Sequence, residues 1–240
     1  MVIGHEGIDI AALRKEFFGD IPVGIDPHRF VALLDKRISE ILEAWVDAYL
    51  TSGALETREQ QLQLVYLSAW GELRSVDTFA RQVERMGYAL EYPELKLGVC
   101  RQLHDEMRHF KIYRDLALRM GGEDVLSQSP HPSFTYQFDY CDQVSEDPLE
   151  LIFNCQFCCE KWAIPLFTNL AKKAYTNEDL RETLTREILP DEYFHIANGR
   201  LAARYLARRG DAQQDRMLDI AAAMMGVNRR AIELGAMSAV

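Results

Sequence analysis

The chain has 240 residues, 48% of them hydrophobic and 27% charged, which suits one large domain with a sizeable core and excludes a disordered or fibrous chain. Its 37 acidic against 27 basic residues leave a formal charge of −10. That balance disfavours nucleic acid as the main partner, because such binding rests on Lys and Arg neutralising phosphates. No apolar run approaches the roughly 18 uncharged residues that a membrane span needs. The opening residues, Met1 to Glu6, lack the basic stretch and apolar core of a secretory signal, so the expected setting is cytoplasmic, with no membrane partner. Five cysteines, an odd number, read as reduced thiols rather than a disulfide framework.

In chain order, an amphipathic piece from Ile8 to Phe18 gives way to Gly19, Pro22, Gly24 and Pro27. From about His28 to Leu50 the residues Phe30, Leu33, Leu34, Ile38, Ile41, Leu42 and Trp45 recur at three and four, the spacing of a helix. Four longer helices are expected next. The first covers about Thr57 to Met86 and ends at Gly87; the second starts at Pro93, which suits a first helical turn, and stops at Gly121-Gly122. Residues 123–146 read as one long connection, with Phe134, Tyr136, Phe138 and Tyr140 packed over something. The third long helix is expected over about Asp147 to Ala174, and the fourth from an Asn177 cap to about Arg209. A last helix reaches about Leu234, its Ala221-Ala222-Ala223 suited to close helix contacts. The fold class is therefore all-α and a single domain, residues 1–240, with a core over about 57–209.

Two stretches carry the chemistry. Asp105-Glu106-Met107-Arg108-His109 and Asp191-Glu192-Tyr193-Phe194-His195 both read D-E-x-x-H. On a helix, positions three apart share a face, so each copy presents a carboxylate and an imidazole side by side. One E-x-x-H is weak evidence, and two copies, each preceded by Asp, are much stronger.

In a four-helix bundle, two such helices make a dinuclear carboxylate site once each of the other two supplies a Glu. Residues at one height in an antiparallel hairpin lie equally far from its turn. Glu72, 34 residues before Glu106, has its midpoint with it in the Gly87 to Pro93 break, and Glu160, 32 residues before Glu192, has its midpoint at Thr176-Asn177. At about 1.5 Å per residue each arm runs on the order of 20 Å from turn to site, deep within the helices. A lone Glu in surroundings as apolar as those of Glu72 and Glu160 is costly unless paired or metal-bound. Oxygen and nitrogen ligands without thiolate suit iron or manganese. Asp105 and Asp191 are expected to fix the imidazoles, since a metal-bound His usually donates its other N–H to a carboxylate. Each Asp would serve the His of the opposite motif.

The set Glu72, Glu106, His109, Glu160, Glu192 and His195 resembles the ferritin-like di-iron carboxylate superfamily, and Asp105 to His109 is similar to the D-E-x-R-H sequence of bacterial multicomponent monooxygenase hydroxylases. The resemblance covers about residues 57–209. It implies a ferritin-like four-helix bundle with added N- and C-terminal helices, two Fe ions or a Mn/Fe pair, O2 as co-substrate, and hydroxylation, N-oxygenation or desaturation of a small organic molecule. The chain shows no Gly-rich nucleotide motif, so an external electron donor, a ferredoxin or a reductase, is implied. A monomer or homodimer is expected. The rival reading is a ferroxidase or iron-storage subunit, and a third is a metal-free helical interaction protein.

Three departures stand out. Many such hydroxylases carry Thr one turn after the third-helix Glu, where this chain has Ile164. Phe194 stands where the first motif has Arg108. Pro190 lies beside the second motif only and should kink or bulge its helix. Gln156, one turn before Glu160, reads equally as a surface amide or as a pocket contact beside the metals. Cys155-Gln156-Phe157-Cys158 matches C-x-x-C, though with no strand before it the thiols read as core. His104 reads as surface or packing, and His5, His28 and His131 as solvated.

Overall fold

The computed structural model describes residues 8–87, 91–128, 133–144 and 146–233; His5, His131 and the far end of the last helix lie outside them. The described residues are all-α, with no strand among them. No helix in them is long and apolar enough to cross a membrane.

Local signals start the helices where the chain predicts. Helix α1 spans Ile10–Phe18, and α2 spans Pro27–Thr51 with Pro27 in its first turn and Asp26 accepting from the Arg29 N–H. Helix α3, Arg58–Arg85, opens on a capping box in which Thr57 and Gln60 satisfy each other's backbone N–H groups. It turns at Gly87, whose φ of 52° favours a residue without Cβ, and the chain returns as α4, Pro93–Arg119.

The segment predicted as a long connection is instead largely helical, with a 3₁₀ turn at Val125–Ser127 and α5 over Ser133–Val144. Its aromatic and polar composition has low helix propensity, and tertiary packing overrides that preference. Phe138 meets Phe79 edge to face at 6.5 Å, Cys141 is fully buried, and Arg74 pairs with Asp139 and Asp142 at 2.7 Å.

The third and fourth long helices are not continuous. The third arm runs as α6 (Pro148–Ile152), a π-helical stretch (Phe153–Cys159), a 3₁₀ turn (Glu160–Trp162) and α7 (Ala163–Lys172). The fourth runs as α8 (Glu178–Thr183), capped by Asn177, a second π stretch (Leu184–Ile188) and α9 (Leu189–Ala207). Pro190 lacks the N–H that would bond four residues back, which suits the wider turn just before it. Helix α10, Asp211–Glu233, buries Ala221, Ala222 and Ala223 and packs against α1.

The core forms two apolar clusters. One gathers Phe79, Leu95, Val99, Phe153, Phe157, Ala203 and the residues of α1, α2 and α10; the other gathers Val65, Tyr66, Ala69, Tyr113, Leu116, Leu166, Leu184 and Ile188. Each of the four arms contributes to both. The D-E-x-x-H motifs, Glu72 and Glu160 fall at the level between the two clusters.

Candidate metal centre

Glu72 comes from α3, Glu106 and His109 from α4, Glu160 from the 3₁₀ turn after the first π stretch, and Glu192 and His195 from α9. The structure brings all six together. Two groups form, Glu72 with His109 and Glu192, and Glu106 with Glu160 and His195; within each, one atom per residue lies within 4.8 Å of the others.

The carboxylates of Glu106 and Glu192 are shared between the groups. Glu106 turns Oε2 toward His109 Nδ1 at 3.5 Å and Oε1 toward His195 Nδ1 at 3.3 Å; Glu192 does the same with Oε1 at 3.7 Å and Oε2 at 3.8 Å. Glu72 serves only the His109 side, at 3.9 Å, and Glu160 only the His195 side, at 4.0 Å. Both imidazoles are fully buried, and neither Nδ1 has a hydrogen-bond partner. A buried polar nitrogen left without a partner is rare and costly. Here two of them face four carboxylates, oxygen and nitrogen donors that could hold divalent cations.

Without a cation the cluster holds protons. Burial, followed by the charge of Glu72, pushes Glu106 up to about 7, and burial with the charge of Glu106 holds Glu160 well above the carboxylate range. Burial alone would lower His109, but Glu106 and Glu72 outweigh it and raise the imidazole to about 11. His195 is raised for the same reason, chiefly by Glu106 and Asp105.

The outer nitrogens cross between motifs. His109 Nε2 lies 3.3 Å from Asp191 Oδ2, and His195 Nε2 lies 3.5 Å from Asp105 Oδ2. Arg108 and Arg101 both pair with Asp191, and Arg101 also reaches Asp105 at 3.3 Å. The Arg101 guanidinium stacks 3.9 Å over the Phe194 ring. The Arg108 and Phe194 difference thus has a use: both arginines pair with Asp191, and the phenylalanine seats Arg101.

Gln156 is fully buried, not a surface amide, and does not line the space at the carboxylates; it hydrogen-bonds to Gln82 and Gln102. Gln102 donates to Glu160 at 2.7 Å and to Glu106 at 3.2 Å. Sequence reasoning missed Gln82 and Gln102, although Gln102 precedes Glu106 by four residues just as Gln156 precedes Glu160. Cys155, Cys158 and Cys159 are buried free thiols, their ionisation suppressed by burial at Cys155 and Cys158 and first by Cys141, then by burial, at Cys159. His104 is exposed, 3.6 Å from Asp105.

A pocket of about 140 Å³ opens onto Glu72, Glu106, Glu160 and Glu192, walled by Phe138, Ala163, Phe167 and Gly71, with the hydroxyl-bearing Ser68 and Ser75. Ile164 is not part of that wall. One residue along α7 from Ala163 it faces outward into a separate cleft of about 450 Å³ between α2, α7 and α9. No protein-family model matches the chain, and no curated protein or solved structure matches it either.

Proposed function

We propose that the protein is a non-haem di-iron oxygenase built on a ferritin-like four-helix bundle, with α3, α4, the 148–172 arm and the 178–207 arm as its four helices. The observation that carries this reading is the pair of partnerless imidazole nitrogens, each facing one private glutamate and both facing the shared Glu106 and Glu192. Two irons bound there would supply electrons to O2 for oxidation of an organic substrate. Asp191 holds His109 by its outer nitrogen, Asp105 faces that of His195 at 3.5 Å without a hydrogen bond, and Gln102 holds Glu160.

The 140 Å³ pocket favours an oxygenase over an iron-handling protein, because an apolar wall of Phe138, Phe167 and Ala163 beside the carboxylates serves an organic molecule rather than an ion. An apolar cavity of about 150 Å³ accommodates benzene, so the substrate is a compact, largely apolar molecule of that size. Phe138 of α5 adds an aromatic face to the pocket wall beside the carboxylates. Ala163 and Phe167 offer no proton-carrying group from α7, which leaves the Ser68 and Ser75 hydroxyls of α3 as the only hydroxyls in this wall among the described residues; Ser75 already donates to the Glu72 carbonyl at 2.7 Å. Electrons come from a separate reductase or ferredoxin.

Metal analysis after anaerobic Fe(II) loading should find about two irons per chain. The loaded chain should consume O2 faster when benzene-sized substrates are present. A chain that retains no stoichiometric iron would defeat the reading. A very large closed assembly that takes up iron far beyond two per chain would select the ferroxidase alternative.

A further inference from the structure

Three buried glutamines stand behind the cluster, and they touch it on one side only. Gln82, Gln102 and Gln156 are each fully buried on three different arms. Gln82 and Gln156 pair through both amide groups, at 2.6 and 3.1 Å, and Gln156 also donates to Gln102 Oε1 at 3.3 Å. The orientation of the chain of amides follows from chemistry. A carboxylate that ligates a cation only accepts, so Gln102 turns its NH2 toward Glu160 and Glu106, which leaves its oxygen to accept from Gln156. Each amide therefore has its place fixed by the next, in a dry interior where such a network is stiff.

The other end of the cluster has no equivalent. Among the described residues no amide or guanidinium donates to the Glu72 carboxylate, which faces the His109 ring at 3.9 Å and the carboxylates of Glu106 and Glu192 and borders the open pocket. Gly71 beside it has open space where a Cβ would stand. One private glutamate is braced before any ion arrives, and the other must be ordered by the ion itself.

We infer that the two cation positions differ in affinity, that the Glu160–His195 position fills first, and that Gln102 is the positioning residue that makes it the tighter one. This rests on the two-metal reading of the cluster. Ordering a ligand in advance removes a cost that binding would otherwise meet, and loss of a hydrogen bond to a ligating carboxylate weakens metal affinity roughly 10- to 100-fold. The Glu72–His109 position is then the one whose ion exchanges more readily, on the side of the pocket.

Anaerobic titration of the full chain with Co(II), followed by visible absorption, tests this. The unaltered protein should bind two ions in two resolved steps. Glu72→Ala should keep the tight step and lose the weak one. Gln102→Leu, which removes the donor at similar volume, should weaken the tight step by roughly 10- to 100-fold and leave the weak step in place. Gln156→Met keeps Gln102 but removes its anchor, and should shift the same step in the same direction by less, which covers the case that Gln102→Leu fails to fold. A glutamine that served packing alone would lower the melting temperature of the metal-free chain without separating the two steps. The inference is overturned if both steps weaken equally, if neither moves, if two ions bind in one indistinguishable step, or if Glu72→Ala abolishes the tight step. Absence of any Co(II) binding to the unaltered chain would instead overturn the metal-centre reading beneath it.

Discussion

Asp191 Oδ2 stands 3.3 Å from His109 Nε2, joining the aspartate of one D-E-x-x-H copy to the histidine of the other across two helices. Asp105 and His195 repeat the relationship at 3.5 Å. Each aspartate can fix the tautomer that leaves Nδ1 free to face the carboxylates. Asp191→Asn should therefore weaken the His109-side ion, and Asp105→Asn the His195-side ion, each by roughly 10- to 100-fold. Asn is the informative replacement, because Ala at 191 would also remove an acceptor that Arg101 and Arg108 share. Unchanged affinity in both variants would remove the aspartates from the centre.

The metal-free chain should lose stability as pH rises. Glu106 is held up to about 7 and His109 up to about 11, so the folded chain binds protons that the unfolded chain has released. For Glu106 this stabilisation is complete below its ordinary value of 4.5 and is lost as pH rises through about 7; for His109 it is complete below 6.5 and fades toward about 11. The two windows follow one another with the same sign, Glu106 from about 4.5 to 7 and His109 from about 6.5 toward 11, so stability falls across about pH 5 to 9. Bound metal needs these groups deprotonated, so the gap in melting temperature between loaded and chelator-treated protein should widen over the same range. A chelated sample whose melting temperature climbs from pH 5.5 to 8.5 would contradict this.

Glutamates inside and outside the cluster should respond in opposite ways to substitution. Glu160→Gln removes one of four crowded carboxylates, two of them buried, so the metal-free protein should melt at or above the unaltered chain while losing its tight ion. Glu150 is also buried, yet it accepts from Arg216 at 2.6 and 2.7 Å and from Gln213 at 2.9 Å. Glu150→Ala should cost about 1–3 kcal/mol and leave metal content unchanged. Scanning calorimetry paired with metal analysis separates the two patterns, and loss of metal from both variants would tell against the assignment.

The helices and the level of the cluster were legible because they rest on local and additive signals. Apolar periodicity, the Thr57 box, Pro93 and Asn177 mark the arms, and equal distance from a turn places Glu72 opposite Glu106 and Glu160 opposite Glu192. A hairpin ruler tolerates the π stretches because it counts residues to within about a turn. The Pro190 signal pointed to the second stretch, Leu184–Ile188, but the first was hidden in Phe153–Cys159, where all seven residues are buried, Asn154 and Gln156 included, so no exposed face marks the period. Helix α5 was hidden by poor intrinsic propensity, which its packing on α3 overrides. The amide chain was hidden for a different reason: Gln82, Gln102 and Gln156 lie on separate arms, and nothing local marks a glutamine as buried.

Two glycines near the centre should also separate, since one leaves space and the other removes a collision. At Gly199 a Cβ would lie 2.6 Å from the Phe157 nitrogen and 2.8 Å from the Gln156 carbonyl carbon, so its absence lets α9 rest directly on the π stretch. Gly199→Ala should destabilise by about 1–3 kcal/mol and, by pushing on Gln156, weaken the tight ion as well. At Gly71 a Cβ would meet nothing within 4 Å, and the residue sits within α3, where glycine costs about 0.5–1 kcal/mol relative to alanine. Gly71→Ala should therefore raise stability by up to about 1 kcal/mol with both ions retained. Gly71→Leu should retain them too but fill much of the 140 Å³ pocket, so O2 consumption would no longer respond to a benzene-sized substrate. Full substrate response in Gly71→Leu would show that the substrate lies elsewhere.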